Sequence, residues 1–387
     1  MTVHTMTLEK PGCSVCRMRS MICWLLLIPF GLNAESGKDS PSFLEMAKEV
    51  TSAVHRDYWM EDRSLYRHEI GKDDPEMIWG GGILFSMLTA ASRHEPDRYQ
   101  APLVEYFEGL ESYWDTGVEI PGYEPSPTSG GGNDKYYDDN AWMVLTLAEA
   151  YQVTGLNSFI RRSYDTLIFV VSGWDETLGG GIWWHEGHKG NCKNTCINAP
   201  AAVGCLTLAK YRESRRPRLI RKAEEIVAWT REHLQNEVGL YMDHIRADTG
   251  EVDRVTLTYN SALMLRAELM LYKATGDAGR LQEAVRIGRA AERLCHSGTL
   301  VFRDAPKWSH LMLEADLDLH RETGEQAFLE RAEANGESYY QRWKDGEAFE
   351  LIDLASIARG LWLLADGETA HGREFWKTMD APTREGP

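Results

Sequence analysis

From about residue 42 to residue 370, apolar residues recur at i, i+3, i+4 and i+7, the spacing that lines one face of a helix. Strand-like alternation is confined to short segments such as Gly181–Trp184. Four helical stretches close on related phrases: Tyr151-Gln-Val-Thr-Gly155, Tyr211-Arg-Glu-Ser-Arg215, Tyr272-Lys-Ala-Thr-Gly276 and His320-Arg-Glu-Thr-Gly324. Three of them end in a glycine placed to cap a helix C-terminus. A second amphipathic helix follows each phrase, for example Leu219–Leu234 and Ala278–Leu294, so the repeating unit is a helical hairpin. The whole pattern predicts about twelve helices in six pairs, whose inner members begin near Ile78, Asp139, Asn198, Thr258, Trp308 and Asp353. Six hairpins closing on themselves make an all-α (α/α)6 toroid. The units are longer and less regular than tetratricopeptide repeats.

The residues with chemical potential cluster at those same helix starts. They are Trp79-Gly-Gly-Gly82, Tyr136-Tyr-Asp-Asp-Asn140, Asn198-Ala-Pro200, Thr258-Tyr-Asn260, Lys307-Trp-Ser309 and Asp353. In a toroid the inner helices run parallel, so their N-termini meet at one mouth. Unpaired N–H groups and the positive end of the helix dipole favour carboxylates there.

Asp138 and Asp139 are the leading catalytic candidates. They follow the glycine-rich stretch Ser129–Asn133 and open the apolar helix Ala141–Tyr151. Glycosidic cleavage needs two carboxyl groups, one to protonate the leaving oxygen and one to attack or to activate water. Neighbouring acids at a helix start repel each other, which raises one pKa and separates an acid from an anion. Helix capping is the plainer explanation for either one, but it does not account for two tyrosines and a glycine loop ahead of the pair. Trp79 and Trp183 are placed as sugar-stacking surfaces, with one of Trp183 and Trp184 expected to pack beneath the loop and the other to face the ligand. Tyr137, Asn198, Asp243, Tyr259 and Asn260 complete the expected substrate-binding set; capping by the two asparagines and a core position for Tyr259 are the structural alternatives. No GxSxG elbow, P-loop or HExxH is present.

Charge and composition narrow the ligand. A net charge of −17 argues against nucleic acid and anionic membrane surfaces, which need clustered cations. Thirteen Trp and sixteen Tyr suit the flat apolar faces of a neutral sugar. At the N-terminus, Arg17 and Arg19 precede the apolar run Met21 to Leu32, and Leu32-Asn33-Ala34 offers small residues before Glu35. The run is too short to span a bilayer, so residues 1–34 read as an export signal preceded by an upstream extension, and 35–387 as one catalytic domain. The mature chain is then expected to lack a membrane span and to be secreted, periplasmic or on the cell surface as a monomer. It keeps Cys192, Cys196, Cys205 and Cys295, which allow three disulfide pairings. Cys192 and Cys196 with His185 and His188 do not match a structural zinc spacing, so the histidines are expected to be polar loop residues and the site to hold no metal.

Tyr136-Tyr-Asp-Asp-Asn-Ala-Trp142, Gly179-Gly-Gly-Ile-Trp-Trp184, Lys193-Asn-Thr195, Asn198-Ala-Pro-Ala-Ala202 and Thr258-Tyr-Asn260 together resemble glycoside hydrolase family 76, from about residue 42 to 280. The resemblance implies an (α/α)6 barrel and endo-acting hydrolysis of α-1,6-mannan with retention and without a cofactor. By carry-over, Asp138 would be the nucleophile and Asp139 the general acid/base. The chain departs from the family at Ser261-Ala262, where Gln-Gly is common, and near Phe302–His310, which lacks a Phe-Lys-Gly phrase. Two other functions fit the same reading: a cell-wall glycan transglycosidase, and a mannan-binding protein without activity.

Overall fold

Three helices are buried on almost every side, and that decides the architecture. In the computed structural model, which describes residues 41–128 and 134–379, every residue of Leu351–Leu364 is buried. So is all of Ile78–His94 except Trp79, and nearly all of Thr195–Ala209. A helix apolar all round must be surrounded by other helices. Numbered in chain order, the helices are α1 (Phe43–Tyr58), α2 (Ile78–His94), α3 (Pro96–Leu110), α4 (Tyr137–Thr154), α5 (Asn157–Ser172), α6 (Thr195–Ala209) and α7 (Arg216–Leu234). They continue as α8 (Thr258–Thr275), α9 (Ala278–Ala290), α10 (Pro306–Thr323), α11 (Gln326–Lys344), α12 (Leu351–Leu364) and α13 (Ala370–Met379).

The even-numbered helices form a closed inner ring, α2–α4–α6–α8–α10–α12 and back to α2. The outer layer is α3, α5, α7, α9 and α11, each packed on the inner helix before it, while α1 packs on α12 and closes the circle. The chain is thus the expected (α/α)6 toroid. Gly155, Gly276 and Gly324, in left-handed conformation at φ near +73 to +76°, cap α4, α8 and α10 as the repeated phrase requires. Inside the ring, glycine permits close approach: a Cβ on Gly204 of α6 would lie 2.9 Å from Val144 of α4.

Inner helices begin two or three residues earlier than the apolar pattern indicated for α4, α6, α10 and α12. The reason is a chain of backbone links around the mouth. The N–H of Ile78 donates to Pro125 O (3.1 Å), that of Tyr137 to Trp184 O (3.0 Å), and that of Thr195 to Asp243 O (2.8 Å). Those of Thr258 and Lys307 donate to the carboxylates of Asp304 (2.7 Å) and Asp353 (2.9 Å). Five of the inner helices, α2 to α10, therefore hand their first orphan donor to a group of the next hairpin, which links the mouth from α2 round to α12. No amphipathic periodicity encodes this.

The strand expected at Gly181–Trp184 is not a strand; Ile182 and Trp183 form only isolated bridges. Among the described residues seven short strands occur: the hairpins β1–β2 (Trp59–Met60, Leu65–Tyr66) and β3–β4 (Trp114–Asp115, Gly122–Tyr123), and a three-stranded antiparallel sheet of β5 (Cys192–Asn194), β6 (His244–Arg246) and β7 (Val252–Asp253). The helix α13 was not anticipated. It covers the far end of the ring, where Phe375 lies 3.8 Å below Arg93 and Trp376 lies 3.6 Å from Arg321. No helix among the described residues is long and apolar enough to cross a membrane. The proposed export segment lies outside the described residues.

Candidate active site

Asp138 and Asp139 occupy the first turn of α4, half-buried at the ring mouth. Their surroundings differ. Asp138 Oδ2 accepts the indole N–H of Trp184 (2.7 Å) and the thiol of Cys196 (3.4 Å), while Oδ1 accepts the backbone N–H of Asp139 (3.0 Å). Burial pushes the Asp138 carboxyl up to about 6, with those hydrogen bonds holding it back from going further. Asp139 is raised well above the ordinary carboxylate range, first by burial and then by the charge of Asp138. No basic side chain is among the groups that shift either one. The order is chemically useful: Asp138 ionises first and is hydrogen-bonded as an anion, and Asp139 keeps its proton.

Tyr136, Trp184, Cys196, Tyr259 and Asp243 surround this pair. Trp184 stands 37% exposed, with Tyr136 edge-on at 5.1 Å. Cys196 is buried as a neutral thiol, its pKa raised by burial and by the charges of Asp138 and Asp243, and it is hydrogen-bonded to the Tyr259 hydroxyl. Asp243 holds the His244 ring through Oδ2 (2.8 Å). Asp138, Asp139, Asp243 and Tyr259 are thus brought together as the sequence reading expected.

Other expected contacts are corrected. Trp183 is 2% exposed; its indole N–H donates to Asp175 (2.7 Å) and Lys193 lies over its ring, so Trp184 is the tryptophan that faces the crater. The tyrosines divide the same way. Tyr137 is 1% exposed and stacked on Phe169, leaving Tyr136 at the surface. Asn198 is fully buried and clamps loop backbone: it accepts from Ile182 N–H (2.9 Å) and donates to Ile182 O and Asn194 O. Asn140 does the same for Tyr123, so this is a fold device repeated at the fourth residue of successive inner helices. Asn260 is fully buried as well and does not reach the mouth surface. Trp79, in the first turn of α2, is half-buried against the core. The sequence reading left open which of Trp183 and Trp184 faces the crater and missed Tyr136 and Cys196; Tyr136 opens the Tyr136–Trp142 motif, and Cys196 falls between Lys193–Thr195 and Asn198–Ala202.

The four cysteines are free thiols, so none of the three disulfide pairings forms. Among the described residues, two groups of side chains have the composition and spacing to hold a cation: Asp134, His185 and His188, and Asp243, His244 and Asp253. Lys193 is completely buried, donating to Asp175 Oδ1 (2.7 Å) and to the carbonyls of Thr177 (2.8 Å) and Gly180 (2.6 Å), which shapes the Gly179–Gly181 turn leading to Trp184.

Comparison with known proteins agrees with this geometry. The model of glycosyl hydrolase family 76 matches residues 42–307. The chain superposes on the α-mannanase BT2949 of Bacteroides thetaiotaomicron with a TM-score of 0.79 and 22% identity, covering 88% of this chain and 97% of that one. An inactive variant of the α-1,6-mannanase GH76A of Salegentibacter sp. HEL1_6, with two aspartates replaced and α-1,6-mannotetrose bound, gives a TM-score of 0.73 at 19% identity over 84% of this chain and 99% of that chain. These likenesses establish the fold. The meiotically up-regulated gene 191 protein of Schizosaccharomyces pombe is 25% identical over 218 residues, 52% of this chain and 48% of that protein, so the chain spans about half the length of this curated relative. The match across most of the barrel, with the paired aspartates and their motifs in place, makes the chain a member of glycoside hydrolase family 76.

Proposed function

We propose that this glycoside hydrolase is an exported endo-α-1,6-mannanase that retains anomeric configuration. Asp138 attacks the anomeric carbon as a carboxylate, forming a glycosyl–enzyme ester while Asp139 transfers its proton to the leaving glycosidic oxygen. Asp139, now an anion, takes a proton from the incoming water, whose oxygen displaces Asp138 and yields the same anomer. Trp184 and Tyr136 provide the aromatic surface beside the scissile bond, and Asp243 and Tyr259 offer hydrogen bonds to sugar hydroxyls. The observation that carries the reading is the unequal environment of two adjacent carboxyls: one accepts hydrogen bonds from Trp184 and Cys196 that favour its anion, the other is held protonated by burial and then by its neighbour's charge.

The test is proton NMR of linear α-1,6-mannan during digestion by the purified chain. The proposal expects internal cleavage with the α-anomer appearing first and the β-anomer growing only by mutarotation. An initial β-product would contradict retention. Products longer than the starting chains, formed when an acceptor sugar is added, would assign transglycosylation instead.

A further inference from the structure

Beside the catalytic pair, the segment leading into α4 and the loop after Trp184 bring three metal-ligand side chains into one place. Tyr136 and His185 form an antiparallel bridge, and Glu186 N–H donates to Lys135 O (3.0 Å), which brings Asp134 against His185 and His188. Asp134 Oδ2 lies 2.9 Å from His185 Nε2 and 3.7 Å from His188 Nδ1, and the Nδ1 atoms of the two histidines are in contact. One ligand atom from each residue lies within 4.8 Å of the others. Ligands about 2.0–2.1 Å from a tetrahedral zinc stand roughly 3.3 Å apart, a value that the two carboxylate distances bracket.

The cluster has features of a built site. His185 is 7% exposed, and its Nε2 is buried without a hydrogen-bond partner although the carboxylate is adjacent. Its ring is fixed by stacking between Tyr136 (4.2 Å) and His188 (4.3 Å). The Asp134 carboxylate rests against Gly187, where a Cβ would meet it at 2.0 Å, so only glycine leaves it this position. His188 is largely exposed and free to turn a ring nitrogen inward.

We propose that Asp134, His185 and His188 bind one divalent transition-metal ion of the Zn2+ class at the rim of the catalytic crater. Two imidazole nitrogens and one carboxylate oxygen suit Zn2+ and leave a position for water; Ca2+ and Mg2+ prefer oxygen ligands alone. The ion would tie the segment before Asp138 to the loop that carries Trp184, and so fix the indole on the Asp138 carboxylate. This role is structural and independent of the mannanase reading.

Calorimetric titration of tag-free, EDTA-treated protein with ZnCl2, together with thermal unfolding, tests it. The wild type is expected to bind one Zn2+ per chain with Kd in the micromolar range or below, no Ca2+, and to gain a few degrees in Tm at saturation. His188→Ala, at an exposed position, and Asp134→Asn, at a half-buried one, should lose the heat and the Tm gain, while Asp253→Asn, in the other candidate cluster, should keep them. Absence of Zn2+ binding by the wild type, or binding that survives His188→Ala and disappears in Asp253→Asn, would overturn the assignment.

Discussion

The two ends of the ring treat buried carboxylates in opposite ways. At the mouth, Asp138 and Asp139 have indole, thiol and amide donors but no cation, and both are raised. At the end covered by α13, Glu314 is bracketed by Arg266 (3.0 Å) and Arg359 (3.1 Å), and Arg359 also reaches Glu149 (3.0 Å). Burial pushes Glu314 up as it does Asp138, but the two guanidinium groups outweigh it and hold this carboxyl down at about 2. Arg93 joins Glu149 (2.6 Å) to Asp366 (2.8 Å) in the same network, which lines a cavity of about 380 Å3. Desolvation is common to both ends; what differs is the presence of arginine. Where carboxylates are paired they bind the helices together, and where they are left unpaired they are available for proton transfer and attack.

Substitutions should separate the two ends cleanly. The largest effect belongs to Asp138→Asn, which should lower kcat on α-1,6-mannan by about 10^4-fold or more through loss of the nucleophile while leaving sugar binding largely intact. Asp139→Asn should cost about 10^2 to 10^4-fold, the ordinary contribution of a general acid. Neither should destabilise the fold. An acid whose pKa is raised on folding costs stability once pH exceeds its unfolded value, so each Asn variant at pH 7 should unfold at a higher temperature than wild type.

Glu314→Gln should do the reverse. Two buried guanidinium groups would lose their shared partner, and a loss of about 3–5 kcal/mol in chemical denaturation is expected with activity per folded molecule retained. Its wild-type pH dependence has the opposite sign as well: the depressed carboxyl contributes stability above about pH 4, lost as pH falls toward 2. A smaller change should follow Trp184→Phe, which keeps an aromatic face but removes the donor to Asp138. Its acidic limb in kcat/KM should move up by about half a pH unit, with roughly a tenfold loss in rate. An unmoved limb would deny the indole its part in stabilising the carboxylate.

Much of this arrangement was legible along the chain. Helical apolar spacing, glycine C-caps and a hairpin period imply the toroid, and the paired aspartates are contiguous. What could not be read was orientation within tandem pairs. Trp183 and Trp184, like Tyr136 and Tyr137, are chemically equivalent on paper. Which one faces the crater is decided by distant groups: Asp175 and Lys193 retain Trp183, and Phe169 retains Tyr137. Asn198 looked like a sugar ligand because its amide can cap or bind; the structure spends both its atoms on Ile182 and Asn194. Cys196 was counted only as a disulfide candidate, since nothing local signals that α6 aims its thiol at α4. Asp134 joined no motif, and only the pairing of its segment with the His185 loop brings it to the two histidines.

The division of labour between the adjacent aspartates is tested most directly by the pH dependence of kcat/KM for wild type and Asp139→Asn on an aryl α-1,6-mannotrioside with an activated leaving group. Wild type should give a bell, falling on the acid side near pH 6 as Asp138 gains a proton and on the basic side as Asp139 loses one. In Asp139→Asn the basic limb should vanish and the acid limb remain. A bell that persists unchanged in that variant would place the proton donor elsewhere and contradict the account.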